Sequence, residues 1–328
     1  MAVNDYCVSY GTYYSYLKRS VPKLLNPHPV PEVMVDIKHF NDGEISVKFG
    51  ESLRGKHIFI FGETTHNLTE LIMTLDAAKR CSAEEVTVVL PYFGYSRQDK
   101  REGTRGCIGA KAVAHVIESM GVDRVISIDL HAAQIQAYFQ VPFEHLSGIN
   151  IFKNVLINEM DRDFVFVTPD AGGTLRALKF ASFYGKTGIA TINKRRDKPG
   201  VISHMELTGD VKDKVCIIVD DIADTCGTIC KASDLLLENG AAKTFGLLTH
   251  PVLTGDWMGN IEMSSLSTML ISNTLNVHAK LDQHLHRVIQ RDNVSFELGE
   301  KIKVVSCIDL LEKTIDKIAH DQSISDLN

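Results

Sequence analysis

Residues 215–228 read VCIIVDDIADTCGT, and this stretch decides the fold. The apolar, mostly β-branched run at 215–219 is what a strand covered on both faces of a parallel sheet requires. The run stops at Asp220 and Asp221. Past Asp224-Thr225-Cys226-Gly227-Thr228, residues Ile229, Ala232, Leu235 and Leu236 recur at helical spacing, so the stretch predicts a strand, an acidic turn and a helix N-terminus. Amides and hydroxyls at a helix start, with Gly227 allowing close approach, make a seat for a phosphate group. The two carboxylates are suited to vicinal hydroxyls or to a divalent cation, so the segment fits a sugar phosphate held at both ends. A Walker-type reading needs a phosphate loop, and the GKT at 185–187 has Phe180 where the first glycine should stand.

The chain of 328 residues, 44% hydrophobic, predicts about two domains with sizeable cores. A formal net charge of −6 argues against a nucleic-acid binder. The seven cysteines are scattered, with only Cys226 and Cys230 close, which indicates neither a zinc site nor a disulfide framework and points to a reducing cytoplasm. No stretch reads as an export signal or a membrane span, so a soluble protein without a membrane partner is expected.

Residues 1–35 carry no functional signal, and LNPHPVPEV within them reads as a connector. Asp42-Gly43 predicts a hairpin turn, around which Phe40 offers an aromatic face and Asp42 and Glu44 offer acceptors, a set able to hold an adenine ring. Strands are expected at 57–61, 86–91 and 125–130, with helices at 69–81 and 108–120. The strand at 86–91 delivers the basic segment RQDKR, with Arg97 and Gln98, to the strand end where α/β sheets bind ligands. Asp129 and His131 are expected on one side of the next strand end. A new strand at 164–167 ends in Asp170-Ala171-Gly172-Gly173, where two glycines before a helix expose amides to an anion and Asp170 offers a metal or hydroxyl partner. The strand at 187–192 runs into the cationic segment 193–200, NKRRDKPG, read as a mobile loop that closes over phosphates. Further strands at 245–248 and 302–305 and a helix at 309–318 complete the pattern.

VDDIADTCGT resembles the phosphoribosyl-pyrophosphate motif of type I phosphoribosyltransferase folds. Together, PYFGYSRQDKREGTR, ISIDLHAAQIQAYF, VTPDAGG, INKRRDKP and VDDIADTCGT resemble, in their order, the ribose-phosphate pyrophosphokinase family. The resemblance implies an α/β fold of two phosphoribosyltransferase-like domains, each a mainly parallel sheet flanked by helices. They are expected at 1–148 (ATP side) and 149–328 (ribose 5-phosphate side), with the last helix packing back on the first. It implies transfer of the diphosphoryl group of ATP, with Mg²⁺, to the anomeric hydroxyl of ribose 5-phosphate. It assigns Phe40, Asp42, Glu44, Arg97 and Gln98 to ATP; Asp220, Asp221, Asp224, Thr225, Cys226, Gly227 and Thr228 to ribose 5-phosphate; and Gly172 and Gly173 to pyrophosphate. It places His131 and Asp170 at the metal and gives catalysis to Lys194, Arg196 and His131. A homo-oligomer is implied, with a hexamer as a candidate size and the adenine pocket at a subunit contact. The chain departs from the family's frequent aspartates at Gln140 and Glu144, which are left out of the site. A base phosphoribosyltransferase, or a non-catalytic associated subunit of the same family, would share the central motif.

Overall fold

The tyrosine-rich start forms a buried strand, Tyr6–Tyr10 (β1), where no element was expected. The computed structural model, which describes residues 6–19, 30–155, 163–195, 204–281, 288–291, 294–297 and 301–328, shows why. Cys7, Val8 and Tyr10 are buried although hydroxyl-bearing residues surround them. Val8 N donates to Pro31 O and Val33 N to Val8 O, both at 2.8 Å, so residues 31–33 cover the outer edge of β1 and are more than a connector.

The chain divides into two units, residues 1–150 with 307–328, and residues 151–306. In the first, the antiparallel hairpin of Val35–His39 (β2) and Ile45–Phe49 (β3) turns at Gly43, whose φ is +92°. His57–Phe61 (β4), Glu85–Leu90 (β5), Arg124–Ile128 (β6) and Phe143–Leu146 (β7) follow β1 in a five-stranded, wholly parallel sheet of order β1-β4-β5-β6-β7. Leu68–Arg80 (α1) and Gly109–Ser119 (α2) connect β4 to β5 and β5 to β6, and a short helix, Ile149–Phe152 (α3), follows β7. The apolar faces of α1 (Leu71, Leu75, Ala78) and α2 (Ala110, Val113, Ile117) share one core with Ile58, Ile60 and Val88.

The second unit contains Phe164–Thr168 (β8), Thr174–Phe183 (α4), Ile189–Arg195 (β9), His204–Thr208 (β10), Val215–Ala223 (β11), Gly227–Glu238 (α5), Lys243–Pro251 (β12), Trp257–Met263 (α6) and Thr268–Ser272 (β13). His278–Leu281 (α7), a two-stranded hairpin of Val288–Arg291 (β14) and Val294–Glu297 (β15), and Ile302–Val305 (β16) complete it. The seven-stranded sheet has the order β10-β9-β8-β11-β12-β13-β16 and is parallel except where β10 meets β9. The residues expected at 215–219 are all buried within β11. Asn193, Lys194 and Arg195, expected in a loop, instead extend β9 and pair with residues 204–206; the rest of that segment, Arg196 included, lies outside the described residues.

The chain then returns to the first unit as Ile308–Ala319 (α8). There Tyr6 Oη donates to Asp316 Oδ1 at 3.3 Å, and Leu327 O accepts from Ser147 N at 3.2 Å and Asn150 Nδ2 at 3.0 Å. Among the described residues, no helix is long and apolar enough to cross a membrane.

His57, buried at the start of β4, lies 2.8 Å from Thr87 Oγ1 and is stacked on Phe59. Burial, then the Arg124 charge, push its pKa down to about 4, and Glu85 Oε2 at 3.5 Å from Nδ1 does not offset this. The folded chain therefore keeps His57 neutral where the unfolded chain takes up a proton, and stability is expected to fall as pH drops from about 6.5 toward 4. In urea melts across that window His57→Gln should lose less stability than the wild type; equal losses would show that another group governs the slope.

Candidate active site

At the C-terminal ends of β8 and β11 the strand order reverses, since the chain leaves β8 for β9 on one side and leaves β11 for β12 on the opposite side. Loops leaving such a point diverge and open a crevice. The β8–β11 ladder ends at Val167 with Ile218, whereas β11 continues along β12 to Ala223 with Pro251. Asp220 and Asp221 stand on this overhang. Arg176, on the first turn of α4, places Nη1 3.2 Å from Asp221 Oδ1 and 3.7 Å from Asp220 Oδ1. Burial first, and the Asp221 carboxylate second, push the Asp220 carboxyl well above the usual carboxylate range, with Arg176 opposing them. After β8, Thr168 Oγ1 donates to Asp170 O at 2.6 Å and Asp170 Oδ1 accepts from Gly173 N at 3.2 Å. The amide of Gly173 thus has an internal acceptor, while Gly172 is exposed. A Cβ on Gly173 would stand 2.6 Å from Thr168 Oγ1, so packing itself demands glycine there.

The turn at 224–228 is braced from outside. Leu253 N donates to Ala223 O at 2.9 Å, Thr254 N to Asp224 O at 3.1 Å, Thr254 Oγ1 to Asp224 Oδ1, and Asn260 Nδ2 to Thr225 O at 2.9 Å. Lys280 Nζ reaches Val252 O at 2.6 Å and Leu253 O at 3.1 Å. The left-handed residue of this turn is Cys226 (φ +61°), not Gly227, a conformation that costs a side-chain-bearing residue roughly 1–2 kcal/mol. Burial of the Cys226 side chain in the unit's core accompanies it. At Gly227 a Cβ would meet only ordinary contacts, the nearest at 3.7 Å, so its lack of a side chain keeps the helix start open and fills no packing need. The first amides of α5 receive no side-chain cap from Cys226, and Thr228 lies half-buried in its first turn.

In the first unit, Arg97 and Gln98 are exposed on the turn after β5, which begins with Tyr95 at φ +64°. Ala110 N donates to Gln98 O at 3.2 Å, seating the turn on the start of α2. Between them and the next loop stands Asp99, buried, which accepts from Gln134 Nε2 at 2.7 Å and, through its carbonyl, from Tyr138 Oη. The expectation that Asp129 and His131 share a strand face fails. The strand ends at Ile128, Asp129 has a φ of +36° and turns inward to accept from Gly148 N at 2.9 Å, and His131 is exposed. Phe40 is 52% exposed, and Asp42 and Glu44 are exposed beside it on the hairpin tip. Glu144 is occupied by Arg124, and Gln140 donates its amide to Glu118 Oε1.

His131 belongs to the first unit and Asp170 to the second. Among the described residues, no three His, Cys, Asp or Glu side chains are grouped to hold a metal by themselves. Mg²⁺ asks for less, since one or two carboxylates with phosphate oxygens and water complete its octahedron, and Asp170, Asp220 and Asp221 are donors of that kind. Arg176 was missed by sequence reasoning, although its place three residues after Gly173 on a predicted helix was a signal. Nothing local marked Thr254, Asn260 or Lys280, which fold back from distant segments.

Residues 7–121 match the N-terminal domain of ribose phosphate pyrophosphokinase, and residues 186–328 match the phosphoribosyl synthetase-associated domain. A ribose-phosphate pyrophosphokinase 1 of Streptococcus pneumoniae is 42% identical over 274 residues, 81% of this chain and 84% of that protein. A ribose-phosphate pyrophosphokinase of Porphyromonas gingivalis is 37% identical over 328 residues, 99% of this chain and 98% of that one. The crystal structure of a phosphoribosylpyrophosphate synthetase from Mycobacterium smegmatis superposes with a TM-score of 0.81 at 32% identity, covering 97% of this chain and 99% of that one.

The raised carboxyl of Asp220 has a consequence for stability. The folded chain retains a proton that the unfolded chain has released, from the ordinary value of 3.8 up to the raised folded one, so this residue costs stability increasingly as pH rises through that window. In metal-free buffer Asp220→Asn is expected to raise the melting temperature at about pH 8 and by less at about pH 5. A gain that does not grow with pH would remove the cause assigned to it.

Proposed function

The chain belongs to the ribose-phosphate pyrophosphokinase family, and from that premise we propose how its residues share the reaction. The enzyme transfers the diphosphoryl group of ATP to the anomeric hydroxyl of ribose 5-phosphate, giving 5-phosphoribosyl 1-pyrophosphate, a precursor for nucleotide biosynthesis, and AMP. The observation that carries the division of roles is the reversal of strand order at β8 and β11, which gathers acceptors, a glycine-rich turn and an uncapped helix start at one sheet end. The open amides of α5, with Thr225 and Thr228, seat the 5-phosphate, while Asp224 shapes that turn through Thr254. Asp220 and Asp221 accept from the ribose hydroxyls, and Arg176 keeps the pair from repelling its ligand. Gly172 and Gly173 border the pyrophosphate, and Asp170, whose Oδ1 accepts from Gly173 N, would be the carboxylate beside them that holds the cation. Phe40, Asp42 and Glu44 hold adenine, and Arg97 and Gln98 hold the ATP phosphates.

When bound, Mg²⁺ neutralises phosphate oxygens and draws charge from the diphosphoryl group during transfer. Asp170 and His131 are the protein groups proposed to stand with it. Phosphoryl-type transfer needs little covalent help, so the chain's part is in-line placement and cationic stabilisation by Lys194 and Arg196. A base phosphoribosyltransferase needs only the second unit's chemistry, whereas the likeness runs through 99% of the chain. The segment around Lys194 is uninterrupted, which disfavours an inactive associated subunit. The homo-oligomeric state, hexamer included, and a cytoplasmic location remain part of this reading, in keeping with seven free cysteines.

Pure protein given ATP, ribose 5-phosphate and Mg²⁺ should release AMP and phosphoribosyl pyrophosphate in equal amounts; ADP as sole nucleotide product would mean an ordinary kinase. Lys194→Ala or Arg196→Ala should lower kcat by on the order of a hundredfold with smaller changes in KM, because they meet charge developed only in the transition state. Near-wild-type turnover in either would refute that role. Thr228→Val removes a hydroxyl worth about 1.5–3 kcal/mol to a charged ligand and should raise the KM for ribose 5-phosphate alone. Equal shifts in both substrates' KM would argue against this placing.

A further inference from the structure

Glu70 lies on the first turn of α1 and is 4% exposed. Its Oε1 accepts from Thr12 N at 2.7 Å. The reach is possible because residue 11 is glycine, where a Cβ would stand 2.8 Å from that oxygen. Its Oε2 is buried and, among the described residues, accepts no hydrogen bond. A buried carboxylate oxygen without a donor is costly, so a structure that keeps one invites the question of what it faces. It faces His39, whose Nε2 is 3.7 Å away, too far for a hydrogen bond and within ion-pair range.

His39 is the last residue of β2, and Phe40 follows it. The base of the hairpin is fixed by apolar packing, with Phe49 and Val33 in the same core as Leu71 and Leu75 of α1. The tip is different. Residues 39–44 are all exposed, and the bonds within it are its own: Phe40 N to Glu44 O at 2.9 Å, Gly43 N to Phe40 O at 3.0 Å and Glu44 N to Asp42 Oδ1 at 3.1 Å. The His39–Glu70 pair ties this tip to α1.

We propose that Glu70 and His39 form a positioning pair for the nucleotide: Glu70 draws His39 inward and so sets the angle at which the hairpin tip presents Phe40, Asp42 and Glu44. This rests on the reading of that tip as the adenine holder. The unsatisfied oxygen supplies the driving force, because an inward shift of His39 by under an ångström makes the hydrogen bond that 3.7 Å does not. Bound nucleotide and Glu70 then favour the same position of the hairpin, which is coupling through a shared conformation and needs no contact between Glu70 and ligand.

The test is steady-state kinetics with both substrates varied, beside thermal melts of each variant. His39→Ala and Glu70→Gln should each raise the KM for ATP by roughly fivefold or more, leaving kcat and the KM for ribose 5-phosphate as in the wild type. Glu70→Gln keeps an oxygen for the Thr12 amide, and His39 is exposed, so both chains are expected to melt near the wild-type temperature. His39→Lys, which retains a hydrogen-bond donor, should restore the ATP KM. The double variant His39→Ala with Glu70→Gln should be no worse than either single one. Unchanged ATP KM in both single variants, while Phe40→Ala raises it, would overturn the pair's role and spare the reading of the tip. Changes in both substrates' KM, or no rescue by lysine, would reduce Glu70 to a fold-stabilising residue. Wild-type ATP KM in Phe40→Ala would overturn the adenine reading itself, and the proposal with it.

Discussion

The parallel ladder between β8 and β11 is the constraint on which the second unit depends. Two neighbouring strands whose onward connections run to opposite sides of the sheet send their loops apart, and the shorter partner leaves the longer one overhanging. On that overhang, backbone groups and carboxylates are available to a ligand in a way that a fully paired strand would not permit. The same geometry brings Arg176 across to Asp221 and aims α5 at the opening. Had β8 run on beside β11 to Ala223, its carbonyls and side chains would have filled the crevice.

Electrostatics at that opening are held in an uncomfortable balance. Two adjacent carboxylates at a sheet end repel each other and lose hydration, and one guanidinium, nearer to Asp221 than to Asp220, compensates only part of this. The first unit spends its charges differently. Asp99 and Asp129 point inward to tie one loop to another, and the exposed groups, Arg97, Gln98 and His131, are carried on turns those carboxylates hold. Such an arrangement suits a site that binds a highly charged ligand, because what is displayed is rigidly presented.

How much of this could be read from the sequence follows from what each stretch encodes. The run at 215–219 is legible because a strand buried on both faces admits little else, and the Asp42-Gly43 hairpin is legible because its turn needs a positive φ. The start at Tyr6–Tyr10 is not, since its burial comes from β4 on one edge and residues 31–33 on the other, neither of which shows in its own composition. Cys226 shows what composition does not carry: the turn has a glycine at 227, yet its left-handed residue is Cys226, whose side chain is buried in the unit's core. Spacing along an ideal strand predicted a common face for Asp129 and His131, and a single positive φ undid it. The cationic segment at 193–200 looked like a loop because its charges and Pro199 conceal that its first three residues continue a β-ladder.

The return of residues 307–328 to the first unit has a consequence for synthesis on the ribosome. Tyr6 must wait for Asp316, and Ser147 and Asn150 for Leu327. The whole of the second unit is translated between those partners. At ordinary elongation speeds of roughly 5–20 residues per second, the early unit, with its five strands already made, spends on the order of ten seconds or more without α8 and the residues after it, while the later one can close as soon as it emerges. The order of folding is therefore expected to run against the order of translation, and the nascent amino-terminal half is where a chaperone has the most to protect.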